Sequence, residues 1–295
     1  MPRSQPTIST AVRQRTRFNR VLDHIDTHLG HSLAVNELSA LAALSRFHFQ
    51  RRFNELLGMT VARYVQMKRL RRASFQLAFR QQLSITAIAF DNGYEAVESF
   101  TRAFSRVVGQ SPSSFRETPR WDRWLAAFRD VTRVRGKSMP SSYHTTDVTV
   151  VDFPATMVGM LEHRGDEASL AQATRNFISW RRENRLPPSR SATFNIVYGH
   201  SPDECHYGLC AATDNPVAAN EFGVVSMQIP PGRCARLRHA GSEAALGDAV
   251  SYLYREWLPA SGESAGDFPL FFQRVSFYPE VPEHEAITDI YLPLV

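Results

Sequence analysis

The sequence predicts a two-domain chain of mixed class, α + α/β: an N-terminal all-α tandem helix-turn-helix and a C-terminal α+β domain made of a duplicated β-α-β-β unit. Three observations predict it. The pattern Phe-x-x-x-Phe-x-x-x-x-Gly occurs at Phe49, Phe53 and Gly58 and again at Phe100, Phe104 and Gly109, fifty-one residues later. In the second half of the chain, apolar residues stop recurring with a helical period and begin to alternate, as strands require. Charge divides at the same place: residues 1–140 hold 23 Lys and Arg against 10 Asp and Glu, a net of +13, whereas residues 141–295 hold 11 against 19, a net of −8. A basic half joined to an acidic half suggests a polyanion-binding domain coupled to something else.

Residues 1–16, rich in Ser, Thr, Pro and Arg, are expected to form a disordered arm. Helical periodicity begins near Arg17, with Phe18, Val21, Leu22, Ile25 and Leu29 on one stripe that Gly30 ends. The first helix-turn-helix spans 35–57, its turn supplied by the small residues between Leu38 and Ser45. Thr60 to Arg80 then runs without Gly or Pro, with Val61, Tyr64, Val65, Leu70, Ala73 and Leu77 as its apolar stripe. Such a helix is about 30 Å long, close to the roughly 34 Å that separates successive major-groove segments. The second unit spans 84–108 with Asn92-Gly93 as its turn, and Ser111 and Pro112 are expected to cap and open a closing helix. The module is placed at 17–118, a further amphipathic helix and a Gly136 to Ser142 linker at 119–144, and the second domain at 145–295.

In that second domain, strands are predicted at Thr146–Phe153, Met157–His163, Thr193–His200, His206–Ala212, Val224–Ile229, Cys234–His239, Phe271–Tyr278 and Ile287–Leu292. Helices fit Glu167–Asn184 and Glu243–Leu258. Leu161-x-His163-x-Gly165-x-Glu167-Ala168-x-Leu170 recurs as Leu237-x-His239-x-Gly241-x-Glu243-Ala244-x-Leu246, an offset of 76. Two such copies can pair edge to edge into one sheet with both helices on one side and a pseudo-symmetric cleft between them.

Two cores fit within 295 residues of which 43% are hydrophobic. With no long apolar run and no leader-like N-terminus, a soluble cytoplasmic protein is expected. The three cysteines, Cys205, Cys210 and Cys234, read as small buried apolar residues. His200, Cys205, His206 and Cys210 match no standard zinc spacing, and alternation along strands would turn them to opposite faces. No metal and no cofactor are expected, since the chain has no phosphate-binding Gly-rich loop and no His-Glu-x-x-His.

On the first candidate recognition helix, Phe49, Phe53 and Leu56 follow a core stripe, which leaves Arg46, Phe47, Gln50, Arg51 and Asn54 on other faces. Their chemistry suits base edges, Arg for guanine, Gln for adenine and an apolar ring for the thymine methyl, with a solvated basic face as the alternative. On the second helix, Val97, Glu98, Thr101 and Arg102 are among the outward positions, and Arg102 is its one obvious donor to base or phosphate. The first helix is therefore expected to discriminate sequence more than the second. Lys68, Arg69, Arg71 and Arg72 form a dense run on the connecting helix, where phosphate contact competes with simple solvation. In the second domain, Trp180, Tyr198, Tyr207, Trp257, Phe271, Phe272 and Tyr291 are candidate pocket aromatics, each with a core role as the alternative.

Residues 17–118 resemble the AraC/XylS family of transcription regulators through the doubled Phe-x-x-x-Phe-x-x-x-x-Gly, the Ile88-Ala89 to Gly93-Tyr94 approach and the Gly109-x-Ser111-Pro112 ending. Residues 145–295 resemble the GyrI-like effector domain through Ile229-Pro230-Pro231-Gly232, the two His-x-Gly turns, Glu256-Trp257-Leu258-Pro259 and Thr288-Asp289-Ile290-Tyr291-Leu292-Pro293. The resemblance implies a regulator that binds duplex DNA as a monomer through two recognition helices, with Phe47, Gln50 and Arg51 at base-contacting positions. It further implies a small-molecule effector and RNA polymerase as partners, and no enzymatic activity. Where that effector family carries a glutamate and, two positions on, a tyrosine, this chain has Phe272 and Arg274. A cationic ligand would lack its counter-charge, so a neutral or anionic aromatic ligand is expected. A hydrolase and a ligand-free interaction module are the alternatives.

Overall fold

In the computed structural model, residues 10–138, 143–200 and 205–295 are described, and they fall into two compact units, one helical and one built on a sheet. The helical unit starts with α1 (Thr10–Thr27), seven residues upstream of Arg17, and residues 1–9 of the expected arm lie outside the described part. The first helix-turn-helix is α2 (Val35–Leu41) and α3 (Arg46–Leu57). After the connecting helix α4 (Val61–Phe79), the second is α5 (Ile85–Asp91) and α6 (Val97–Val108), closed by α7 (Pro112–Glu117). A further helix, α8 (Trp121–Ser138), runs on through Gly136 and Lys137, whose composition predicts a linker.

Local chemistry sets these boundaries. Ser45, Thr60, Ser84 and Ser111 each accept a hydrogen bond from the backbone N–H three residues on, satisfying one of the donors a helix start leaves unpaired. Gly58 and Gly109 end α3 and α6 with φ of 68° and 75°, a conformation that a β-carbon disfavours. The Phe pairs that precede them are buried and packed alike, ring centroids 5.7 Å apart for Phe49 and Phe53 and 5.6 Å for Phe100 and Phe104. The repeated motif is thus a core pair and a helix stop. Leu56, expected in the core, is 55% exposed. A row that steps by four from Phe49 to Phe53 continues to Leu57, which is half-buried in its place.

At 19 residues, α4 is about 28 Å long and is buried on nearly every side. Val61, Tyr64, Val65, Leu70, Ala73 and Leu77 are interior as expected, but so are Lys68, Arg71, Ser74 and Gln76. Such a helix must satisfy its polar groups internally. Lys68 Nζ lies 3.1 Å from Asp26 Oδ1 of α1. Arg69 donates to the carbonyls of Leu29, His31 and Gly93, Arg72 pairs with Asp91, and Gln76 bonds Asp91 and Asn92. These ties clamp α4 to α1 and to the end of α5, so both recognition helices hang from one frame.

The sheet unit contains β1 (Val148–Phe153), β2 (Thr156–Gly165), α9 (Glu167–Glu183), β3 (Thr193–His200), β4 (Cys205–Ala212), β5 (Val225–Ile229), β6 (Gly232–Ala240), α10 (Leu246–Tyr252), β7 (Phe271–Arg274) and β8 (Ile287–Pro293). The strands pair antiparallel in the order β1-β6-β8-β7-β3-β4-β2-β5. That order is palindromic about the β7–β3 junction, as a duplicated domain requires. The leading strand of each copy has crossed over, β1 pairing with β6 and β5 with β2, so the predicted unit gains one exchanged outer strand.

The exchange curls the sheet. β1 and β3 lie four strands apart, about 19 Å in a flat sheet, yet the rings of Phe153 and Phe194 are 6.0 Å apart. Only Pro154 and Ala155 separate β1 from β2, and only Pro230 and Pro231 separate β5 from β6, which draws the two outer strands together. Phe153, Phe194, Phe271 and Tyr291 fill the inside of the curl. The outside carries the helices, α9 over Leu209 and Ala211, and α10 over Ala235, Leu237, Ile290 and Leu292.

Two elements are shorter than the sequence suggests. β7 stops at Arg274 because the N–H groups of Val275 and Ser276 both turn to the Ile287 carbonyl. The predicted helix 243–258 is broken into a 3-10 turn, α10, a π turn at Leu253–Trp257 and a last short helix α11 (Leu258–Ser261), whose Pro259 lacks the N–H that a regular turn needs.

Candidate nucleic-acid interface and effector groove

On α3, Phe47, Gln50, Arg51 and Asn54 stand at i, i+3, i+4 and i+7, which is one helical face, and all are exposed, Phe47 by 83%. The repeat offset carries them onto Glu98, Thr101, Arg102 and Ser105 of α6, where Glu98 and Arg102 are exposed and Thr101 and Ser105 half-buried. Arg46 is exposed at the start of α3 and Val97 half-buried at the start of α6. Ser105 was not among the candidates from sequence, although the fifty-one-residue offset points to it as the counterpart of Asn54.

The two faces differ in charge. Arg51 donates to Glu55 Oε1 at 2.9 Å and Arg52 to Oε2 of the same carboxylate at 3.0 Å, which holds Glu55 below its ordinary carboxylate range. Arg102 has Arg106 at the corresponding position and so meets no acid there. The expected phosphate cluster on α4 is largely interior, with Arg69 and Arg72 half-buried. Lys68 is buried against Asp26, Arg71 is buried, and Arg69 and Arg72 are committed to the carbonyls and the carboxylate described above. A basic run on a helix buried all round has internal partners, not solvent.

The aromatic candidates of the sheet unit separate into three places. Trp180, Trp257 and Phe272 belong to the cores beneath the helices, and Phe271 and Tyr291 to the inside of the curl, where their rings stack 5.1 Å apart. Tyr198 stands over His206 at 4.7 Å with its hydroxyl toward the sulfurs of Met160 and Met227. Tyr207 alone faces the space between the helices. Cys205 donates to the Gly165 carbonyl, His206 pairs with Glu162 at 2.6 Å, and Cys210 is buried inside the curl, so these residues point apart. The side chain of His200 lies outside the described residues. All three cysteines are free and buried, and burial pushes the Cys210 thiol up to about 12.

A groove runs between α9 and α10 along the β3–β7 junction. Its floor is legible from exposure: on the helix-facing side Asn195, Val197, Tyr207 and Arg274 are only half-buried, whereas Leu209, Ala211, Ala235 and Leu237 to either side are covered. Arg274 Nε donates to Asn195 Oδ1 at 2.8 Å, its Nη1 reaches Thr288 Oγ1 at 3.3 Å and Glu243 at 3.0 Å, and the guanidinium lies 5.6 Å from the Phe272 ring. His163 and His239, equivalent in the duplication, flank the floor. His239 Nδ1 accepts from the Tyr143 hydroxyl at 2.7 Å and its Nε2 faces the Ser242 carbonyl at 3.2 Å, while His163 Nε2 is buried without a hydrogen-bond partner. A separate recess of about 500 Å³ is lined by Tyr143, His144, Thr145, Thr146, Tyr252 and Glu256.

Residues 146–295 match the family described as a GyrI-like small molecule binding domain, and residues 38–118 match a helix-turn-helix domain. The probable transcriptional regulator YgiV of Escherichia coli (strain K12) is 34% identical over 155 residues, which is 51% of this chain and 97% of YgiV. An uncharacterized HTH-type transcriptional regulator of Staphylococcus aureus is 31% identical over 100 residues, 34% of this chain and 13% of that protein. Among solved structures, the C-terminal domain of EcmrR aligns with a TM-score of 0.42 at 14% identity over 50% of this chain and 96% of that domain. EcmrR in its DNA complex aligns at 0.44 and 14% identity over 84% of this chain and 82% of that one.

Proposed function

The chain belongs to the GyrI-like small molecule binding family and carries an AraC-type helix-turn-helix domain ahead of it, which makes it a DNA-binding transcriptional regulator, and on that premise we propose that it reads one asymmetric duplex site as a monomer and responds to a small molecule in the groove of its sheet domain. The observation that carries the reading is the repetition of one helical face, Phe47, Gln50, Arg51 and Asn54 on α3, all exposed, and Glu98, Thr101, Arg102 and Ser105 on α6, of which Glu98 and Arg102 are exposed. The helix α4 that joins the two helix-turn-helix motifs is about 28 Å long, which suits recognition helices in adjacent major grooves about 34 Å apart. A single polypeptide then supplies the two contacts for which other helix-turn-helix proteins dimerise. Arg51 and Gln50 offer bidentate chemistry for guanine and adenine, and Phe47 an apolar surface for a thymine methyl. Effector occupancy would change transcription without altering the base contacts themselves.

Selection of bound sequences from a random duplex pool by the full chain, at two salt concentrations, tests the reading. Enrichment of one asymmetric site of about 20 base pairs supports it. A palindromic site would mean a dimer, and salt-sensitive binding without any enriched site would reduce the module to a basic DNA-adhering surface.

A further inference from the structure

Resting on the effector reading above, we propose that the groove between α9 and α10 takes an amphipathic carboxylate, whose charge is received by Arg274 and whose apolar body lies across Val197 and Tyr207. Arg274 is the one residue of the half-buried floor that is permanently charged, with 18% of its side chain exposed. Three contacts hold it in place before any ligand arrives: Asn195 on Nε, Thr288 on Nη1 and the Phe272 ring beneath. Two of these partners are neutral acceptors and the third is a ring, so they orient the guanidinium without neutralising it.

Its acidic partner is Glu243, whose side chain is 78% exposed. A pair of that kind is weakly held and yields to a better-placed carboxylate. The guanidinium fork fits both oxygens of a carboxylate, and none of its hydrogen bonds uses Nη2. Further donors surround the floor. Asn195 commits its carbonyl oxygen to Arg274, which leaves its amide nitrogen as a donor. His163 Nε2, buried and without a partner, lies at the far end of the same floor, where β2 pairs His163 with Tyr207. Glu167 is the other acid near Tyr207 and is exposed.

Titration of the full chain with 2-naphthoate, 2-naphthamide and a naphthylmethyl-trimethylammonium salt, followed by calorimetry, tests the assignment. The naphthoate is expected to bind at least about tenfold more tightly than either comparison ligand, the usual scale of one charge-assisted pair. Glu243→Gln, at an exposed position where the fold is not at risk, is expected to tighten naphthoate several-fold and leave the amide unchanged. Arg274→Lys should keep part of the preference and Arg274→Gln should abolish it. Amide or cation binding as tight as naphthoate overturns the carboxylate assignment while leaving an effector groove in place. Absence of binding by all three probes overturns the effector reading with it.

Discussion

Lys68 Nζ sits 3.1 Å from Asp26 Oδ1, with 1% and 2% of the two side-chain surfaces exposed. Two charges taken out of water cost several kcal/mol each, so the pair is worth little against an apolar substitute, but either partner left alone is expensive. Lys68→Met or Asp26→Leu alone should therefore destabilise the helical unit by about 3–5 kcal/mol, and the double variant should recover most of that loss. Urea unfolding of the full chain, followed by circular dichroism at a helical wavelength, measures both. Single variants within about 0.5 kcal/mol of the parent would show that the pair is not buried.

The two helix-turn-helix turns solve one problem with different residues. Ala43 in the first has φ of 52° and Gly93 in the second has φ of 71°. Ala43→Gly should relieve a left-handed penalty of about 1–2 kcal/mol, less the entropy a glycine costs, and so stabilise by up to about 1 kcal/mol. Gly93→Ala should do the reverse and more, since its β-carbon would meet Arg69 Nη2 at 2.6 Å and the Leu29 carbonyl at 2.9 Å. Thermal melts of the two variants should move in opposite directions.

What the sequence reveals and what it hides follow from range. Phe49, Phe53 and Gly58 act through contacts and dihedrals within one helix, so their pattern is visible wherever it recurs. Lys68 acts through Asp26, forty-two residues away, on a helix buried all round, and there no contrast between faces marks it as interior. The exchange of β1 and β5 is equally hidden. Both strands read correctly as strands, but their partners are set by the curl that Phe153 and Ile229 build from opposite edges. Arg274 is legible for the opposite reason. A charged residue in an apolar strand stands out, and the structure supplies only its neighbours.

DNA contacts should divide by helix. Arg51→Ala should cost about 1–3 kcal/mol at one base pair and relax specificity there, whereas a uniform loss across sequences would make Arg51 a phosphate contact. Glu55→Gln removes the carboxylate that holds Arg51 and Arg52, and should strengthen binding with a steeper salt dependence. Arg102→Ala, with no acid to release, should lose affinity without the rearrangement. Competition binding against single-base variants of the selected site distinguishes these outcomes.

Burial raises the Cys210 thiol to about 12 and Cys234 to about 11, from an ordinary value of 9.0. A thiol whose folded pKa is raised contributes stability that is complete below 9.0 and is lost as pH climbs toward those values, because the unfolded chain releases protons the folded one keeps. At pH 8 an aromatic disulfide reagent should therefore find no reactive thiol in the native chain and all three after guanidinium is added. Rapid labelling of any native cysteine would place it at the surface.

His239 titrates in the other direction. Burial is the main cause of its lowered pKa, Arg274 adds to it, and the Ser242 carbonyl and Asp248 oppose it. A histidine depressed below 6.5 keeps its full contribution to stability above that pH and loses it as pH falls, since the unfolded chain then takes up a proton that the folded chain refuses. The sheet unit should accordingly weaken between pH 6.5 and the lower folded value, and His239→Gln should flatten that dependence. Tyr143, whose hydroxyl meets His239 Nδ1 at 2.7 Å, supplies the partner of the neutral ring. Tyr143→Phe should cost about 1 kcal/mol at pH 7.5, the usual net value of one hydrogen bond. Melts of the three proteins at pH 5, 6 and 7.5 read these effects together, and a parent chain equally stable across that range would remove His239 as the source of acid sensitivity.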